Sequence, residues 1–377
     1  MNRFRPHVGI AIIFFMGIFV VSVFGTASIP RIPTTTIQNA SSTLAVVDTV
    51  ATTSAQTPII PVLKKVIPPD EASPKPTSEP APTTPLQATP ISAPTSLLPP
   101  ESASLDASAV TLRAALVNII CYAPAGSGLR SISGSGVIVD PKGIILTNAH
   151  IAQNFLLADR NVSCTIRAGS PAIDTYKASL IYISPAWIQA NANILTQTNP
   201  SGTGEYDFAF LAITKSATSA ALPSSFPFIP LATAPPPTGT PVVIASYGAQ
   251  FLESNQIQSF LFPTIVFGSV KDVFTFAATT IDVLTLGGSA AAQEGSSGGG
   301  VADGNGKLVG TITTSTTNGP TDTRKLDAIT ASYIRAEYAS ETGRALDLLL
   351  TEATSTSVAN FAPQIPALES ILTANLK

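Results

Sequence analysis

Histidine and cysteine are nearly absent from this 377-residue chain, which has two of each. Four such residues cannot supply a four-cysteine or three-histidine zinc site. A mixed site is disfavoured because His7 is separated from the others by a long stretch of different composition. Charge is scarce too. Asp, Glu, Lys and Arg make up 11% of residues and the net charge is -3, so there is no basic footprint for nucleic acid and no acidic tail. No loop is dense in the carboxylates that calcium or magnesium would want. No metal, cofactor or nucleic-acid partner is therefore expected. What the chain does have is apolar material, 45% of residues, enough for a sizeable core in one large domain or two small ones.

That material is unevenly spread. Arg3 and Arg5 precede the uncharged apolar run Val8 to Phe24, the pattern of an export signal or a membrane anchor. Gly25-Thr26-Ala27 offers the small residues a signal peptidase accepts. Counted on to Ile29, the run nears the roughly 20 residues that span a bilayer, which favours retention as an anchor. Residues 1–27 are read as this segment, tying the chain to a membrane or, if cleaved, releasing it; the rest is expected in the cell envelope or outside the cell. Residues 28–105 are rich in proline, threonine, serine and alanine and hold about half of the 32 prolines. Such a segment builds neither helices nor central strands and is read as a disordered, semi-rigid spacer.

Order is expected to resume near Leu105, with a short helix at Asp106 to Ala115. Leu116 to Tyr122 has the apolar, β-branched character of a buried strand. Gly134 to Val139 and Ile144 to Thr147 flank Asp140-Pro-Lys-Gly143, a turn sequence, and so read as a hairpin. Strand-like runs recur at Val162 to Ile166, Ala178 to Ile183, Phe208 to Ile213, Pro241 to Tyr247, Thr264 to Val270, Val273 to Ala278, Thr280 to Leu286 and Leu308 to Thr313. Short strands punctuated by Gly and Pro indicate an all-β barrel or sandwich. A helical pattern returns at Ser332 to Thr351, with a further helix at Ile365 to Leu376.

The hairpin's second strand runs into His150, the one histidine outside the first few residues. Downstream stands Glu294-Gly295-Ser296-Ser297-Gly298-Gly299-Gly300. A serine becomes a nucleophile near neutral pH when a base takes its proton, and imidazole titrates in the right range. A third group should orient the ring. Asp207 opens the apolar strand Phe208 to Ile213, where a carboxylate would be half buried, whereas Asp159 and Asp174 lie in polar surroundings. Taken singly, each motif has an ordinary alternative: a flexible Gly/Ser loop, or a polar residue at a strand end.

Together, Gly134-Ser-Gly-Val-Ile-Val, Ile-Leu-Thr-Asn-Ala-His150, Asp207-Phe-Ala-Phe-Leu and Gly295-Ser-Ser297-Gly-Gly resemble the trypsin-like (chymotrypsin-fold) serine proteases in type, order and spacing. Within these proteases they resemble the bacterial Deg/HtrA branch. The resemblance covers roughly Leu112 to Thr330 and implies two six-stranded antiparallel β-barrels, at about 112–232 and 238–330 within a protease domain 106–330, with the active site between them. It implies Ser297 as nucleophile, His150 as general base, Asp207 as its orienting partner, and the Gly295 and Ser297 N–H groups as the oxyanion hole. The substrates would be proteins or peptides. The family pattern puts Ala291 at the base of the primary pocket and Thr313, Thr314 and Ser315 along its wall. With no carboxylate there to pair with Lys or Arg, small or medium apolar side chains are expected in it.

Two departures stand out. Ser296 occupies a position usually held by Asp or Asn, and no Ile-Val-Gly-Gly start exists, so activation by a freed N-terminus is not expected. Gly300 replaces the usual proline. Cys121 and Cys164 fall on separate expected strands of the first barrel, and export would pair them as a disulfide; the alternative is two buried free thiols. After Thr330 fewer than 50 residues remain, too few for a PDZ domain. Residues 331–377 are expected to be helical, packing on the second barrel through Tyr333, Ile334, Leu346 and Leu349. A lipase elbow is excluded because no histidine follows the serine. The non-enzymatic alternative is an inactive protease-like β-domain that binds peptides or wall polymer.

Overall fold

The structure is a computed structural model; it describes residues 64–65, 101–197, 202–276, 280–315, 318–374 and 376. The expected signal or anchor and nearly all of the proline-rich segment lie outside these residues. Among the described residues no helix is long and apolar enough to cross a membrane.

In chain order the elements begin with β1 (Lys64–Lys65), α1 (Glu101–Ala115), β2 (Leu116–Tyr122), β3 (Ile132–Asp140), β4 (Ile144–Thr147) and α2 (Ala149–Ala152). Then come β5 (Ser163–Ala168), β6 (Ile173–Ile183), α3 (Pro185–Ala190) and β7 (Ala209–Ser216). The second half holds β8 (Pro241–Ser246), α4 (Ser254–Ser259), β9 (Thr264–Ser269), β10 (Asp272–Thr275), β11 (Val283–Thr285), β12 (Gly300–Asp303), β13 (Leu308–Ser315) and β14 (Leu326–Thr330). Four helices end the chain: α5 (Ala331–Thr342), α6 (Leu346–Thr351), α7 (Thr354–Phe361) and α8 (Ile365–Thr373).

The first barrel is closed, in the order β2-β3-β4-β7-β6-β5. Its strands read as apolar runs because they are buried along most of their length. Leu116, Val117, Ile119, Ile144, Ile145, Leu146, Phe210 and Leu211 are all at most 2% exposed. The β3–β4 turn closes as its sequence requires: Gly143 has φ +86 and donates its N–H to Asp140 O at 3.0 Å. The barrel closes between β2 and β5, where Cys121 and Cys164 face each other directly and are joined as a disulfide.

The second half is all-β as expected but does not close. It is an eight-stranded half-barrel, ordered β1-β10-β11-β14-β13-β12-β8-β9. Closure would need β9 to pair with β10. Instead Lys64 and Lys65, from the segment read as spacer, take the outer edge of β10, and among the described residues β9 pairs with β8 alone. Besides β1, two strands escaped the sequence reading. β12 begins at Gly300, and β14 follows Arg324-Lys325; neither has the length of apolar run that periodicity detects.

The C-terminal region also differs. The helix expected from Ser332 to Thr351 is broken by Gly343, at φ +68, into α5 and α6, and α7 stands between the two individual helices read within the expected helical segment 331–377. Tyr333, Ile334, Leu346 and Leu349 are buried as expected. The helices do not serve the second half alone. α5 packs on β13 and β14, α7 on β6 and β7, and α8 on α3. Tyr338 of α5 packs edge-on against Tyr182 of β6, with ring centroids 4.8 Å apart. Helix α1 starts at Glu101, five residues earlier than expected, and packs against β3, β8 and β12, so it bridges the two halves.

Candidate active site

His150 comes into position through the end of β4. Asn148 keeps extended geometry (φ -80, ψ 153), and its carbonyl accepts the Ile151 and Ala152 N–H groups, which starts the single turn of α2. His150 therefore stands in that first turn. Asn148 Nδ2 also donates to Asp207 O at 2.9 Å, tying the histidine segment to the aspartate segment.

Asp207 lies two residues ahead of β7, at the end of a tight turn. Tyr206 has φ +57, and the Asp207 N–H donates to Gly204 O at 3.1 Å. That left-handed residue is held from the C-terminal region: its N–H donates to Tyr333 Oη of α5 at 3.0 Å. The carboxylate is 7% exposed. Oδ1 accepts the His150 backbone N–H at 2.9 Å; Oδ2 accepts His150 Nδ1 at 2.7 Å and Thr313 Oγ1 at 2.8 Å. Three donors hold it aimed at the ring.

The ring's Nδ1 is thus held as a donor, which leaves Nε2 as the free base. Burial lowers the His150 pKa, but the charge of Asp207 and its hydrogen bond more than offset this, and the pKa stands above the ordinary histidine value.

Ser297 lies in the turn between Gln293 and β12. The turn is held from both halves of the molecule. Ser135 on β3 donates its N–H to Ser297 O at 2.8 Å and its hydroxyl to Gly295 O at 2.8 Å, and it accepts the Tyr247 N–H at 2.8 Å. Gly298 needs to be glycine: φ is +82, and a Cβ there would stand 2.0 Å from Ser135 O. Ser296, found where Asp or Asn is usual, is buried and accepts a hydrogen bond from Ser246 Oγ at 3.0 Å.

The Glu294 carbonyl is fixed by the Ala249 N–H at 2.8 Å. A trans peptide points its N–H opposite its carbonyl, so the Gly295 N–H is turned the other way. Among the described residues neither the Gly295 nor the Ser297 N–H donates to a protein oxygen. Two adjacent unspoken-for donors in a rigid turn are what a developing oxyanion requires.

His150, Asp207 and Ser297 line one cleft of about 650 Å³. Trp187, Ile194, Leu195, Leu129 and Ile132 give it apolar lining. Trp187 belongs to α3, whose first turn is anchored to α5: Glu341 accepts from Ser184 Oγ at 2.8 Å, from the Ala186 N–H at 3.2 Å and from Tyr182 Oη. Among the described residues no hydrogen bond joins Ser297 Oγ to the imidazole. Catalytic hydrogen bonds are often long before substrate binds.

The pocket residues expected from sequence part company. Thr313 lines the cleft, but its hydroxyl holds Asp207 instead of facing a substrate. Ala291 is fully buried and is not part of the cleft lining. Thr314 and Ser315 continue β13 beyond it. Ser135, Asn148 and Tyr333 were not singled out for the site. Ser135 sits inside the Gly134-Ser-Gly motif, the one signal that pointed to it. Among the described residues no cluster of ligating side chains for a metal is present.

Residues 134–310 match the family of trypsin-like peptidase domains. Among solved structures the chain is similar to the Rv3671c protease in an inactive form, at 18% identity over 62% of this chain and 92% of that one, with a TM-score of 0.39. It is also similar to the Rv3671c protease from M. tuberculosis in an active form, at 19% identity over 70% and 95% respectively, with a TM-score of 0.38. A search of curated proteins returned no match.

Proposed function

We propose that the protein is a serine endopeptidase that hydrolyses peptide bonds through Ser297, His150 and Asp207 and an acyl-enzyme intermediate, and that it acts outside the cytoplasmic membrane. The observation that carries this reading is the 2.7 Å contact between His150 Nδ1 and a buried Asp207 oxygen that also takes the Thr313 hydroxyl, in the same cleft as Ser297. That arrangement fixes the tautomer in which Nε2 is an acceptor.

In the first step Ser297 Oγ attacks the scissile carbonyl and His150 Nε2 takes its proton. Asp207 stabilises the imidazolium, and the Gly295 and Ser297 N–H groups receive the oxyanion. His150 then gives the proton to the leaving amine, and water repeats the sequence on the ester. An extracytoplasmic site is supported by the Arg-flanked apolar run Val8 to Phe24 and by the Cys121–Cys164 disulfide, a bond that persists in oxidising compartments. The N-terminal run would anchor the enzyme in the membrane.

The test is covalent labelling with a fluorophosphonate, located by peptide mass mapping, alongside hydrolysis of a casein substrate. Label on Ser297 that disappears in Ser297→Ala together with hydrolysis is the expected result. A folded wild type that neither labels nor cleaves would favour the inactive, peptide-binding reading and end the enzymatic one.

A further inference from the structure

We infer that helix α5 positions the active site at two points with separable consequences. Tyr333 fixes the turn that presents Asp207, and Glu341 fixes α3, which carries Trp187 into the cleft. Both are positioning residues for the serine-endopeptidase reaction, and the inference rests on that reading.

Tyr206, at φ +57, holds a left-handed conformation that a residue with a bulky side chain rarely adopts. Such a residue persists only where its surroundings over-determine it. Its N–H donates to Tyr333 Oη at 3.0 Å, and its carbonyl accepts the Phe208 N–H at 2.8 Å. Asp207 stands between those two bonds, so a shift at Tyr206 moves the carboxyl group that meets His150 Nδ1 at 2.7 Å. The Tyr333 hydroxyl is itself well placed. The Tyr333 N–H donates to Thr330 Oγ1 at 3.0 Å, and its ring centroid lies 5.1 Å from that of Phe276. Tyr333→Phe therefore keeps the packed ring and removes only the acceptor.

Glu341 lies about 12 Å further along the same helix, at the rise of 1.5 Å per residue. Its Oε1 accepts Ser184 Oγ at 2.8 Å and the Ala186 N–H at 3.2 Å, and its Oε2 accepts Tyr182 Oη. Ser184 passes the hold on. Its hydroxyl proton goes to Glu341, which leaves its oxygen free to accept the Trp187 N–H at 3.1 Å. Ala186 and Trp187 line the cleft together with His150 and Ser297. Helix α3 carries none of Ser297, His150 and Asp207. Removing Glu341 leaves three donors without their acceptor and loosens a wall that substrate meets, without touching the groups that move the proton. One helix thus holds the Asp207 turn with Tyr333 and the cleft wall with Glu341.

Trp187 is the only tryptophan in the chain, so its fluorescence reports on the cleft wall directly. The test compares full-length variants by peptide hydrolysis per fluorophosphonate-labelled site and by tryptophan emission. Tyr333→Phe should lower kcat by about two- to tenfold, with KM and emission unchanged. Glu341→Ala should raise KM by about tenfold with kcat nearly kept, and should shift the emission of the buried Trp187 to the red. Glu341→Gln keeps an acceptor oxygen and should recover most of both. If Glu341→Ala does not fold, Ser184→Ala, which cuts the link to Trp187, is read in the same way. Wild-type kinetics in Tyr333→Phe, or a Glu341→Ala protein that loses kcat while KM and emission hold, overturns the inference and leaves the protease reading standing. Wild type that does not label overturns both.

Discussion

Thr313→Val tests the site through a residue that does no chemistry itself. Valine keeps the shape of threonine and removes the hydroxyl that donates to Asp207 Oδ2 at 2.8 Å. Asp207 retains the two His150 donors but loses one of three supports. A hydrogen bond to a charged group is worth about 1.5–3 kcal/mol. Applied to the orientation of the imidazole in the transition state, that is a fall in kcat of about 10- to 150-fold with KM little changed. The same loss should lower the melting temperature by about 3–12 °C. The sign of the pH effect follows from the carboxylate. Relieved of one donor, Asp207 is a stronger partner for the imidazolium, so the acid limb of kcat/KM should move up in pH. Thr313→Ser restores the hydroxyl and should restore most of the rate. The measurement is a pH profile of peptide hydrolysis with thermal melts of all three proteins. If Thr313→Val keeps the wild-type kcat and the wild-type acid limb, Thr313 does not position Asp207 and the argument fails.

Wild-type activity should fall as pH drops through the raised His150 pKa, since the base must start neutral, so the acid limb should lie above the ordinary histidine value. Asp207→Asn leaves burial as the dominant influence and should move that limb down; turnover should drop by about 10⁴-fold, the size known for this change in a trypsin-type triad. An unmoved limb would show that Asp207 is not what raises the pKa. Replacing Cys121 and Cys164 by alanine opens the barrel's closing pair across a sequence separation of 43. On the chain-entropy estimate this removes about 4 kcal/mol, measurable by urea unfolding, and a midpoint equal to wild type would contradict it. Gly298→Ala puts a Cβ 2.0 Å from Ser135 O at φ +82, so it should abolish fluorophosphonate labelling even where circular dichroism shows the barrels intact; normal labelling would mean the turn can shift at little cost.

Much of the site was legible because its parts are local. The apolar runs at β2, β4 and β7 and the turn Asp140 to Gly143 follow from residue type alone, since burial on both faces and a positive φ each demand particular side chains. Those runs carry His150 and Asp207 at their ends, so candidate residues emerged with the strands. β12 and β14 escaped because strands of four and five residues, each carrying an aspartate, are too short for a pattern and owe their conformation to the neighbours they pair with.

Sequence by itself determined the all-β class and the order of His150, Asp207 and Ser297 along the chain. Those properties depend on the periodicity and chemistry of neighbouring residues, which are written locally. Only the tertiary structure decided what each residue touches. Thr313 turned from a pocket wall to a support for Asp207, Ser135 linked the first barrel to the Ser297 turn across 160 positions, and Tyr333 came back from the C-terminal helix to hold the turn before Asp207. Lys64 and Lys65 took an edge of β10 that no local pattern reserves. Contacts between residues far apart in sequence leave no period to read; they exist because packed strands bring distant backbones within hydrogen-bonding reach.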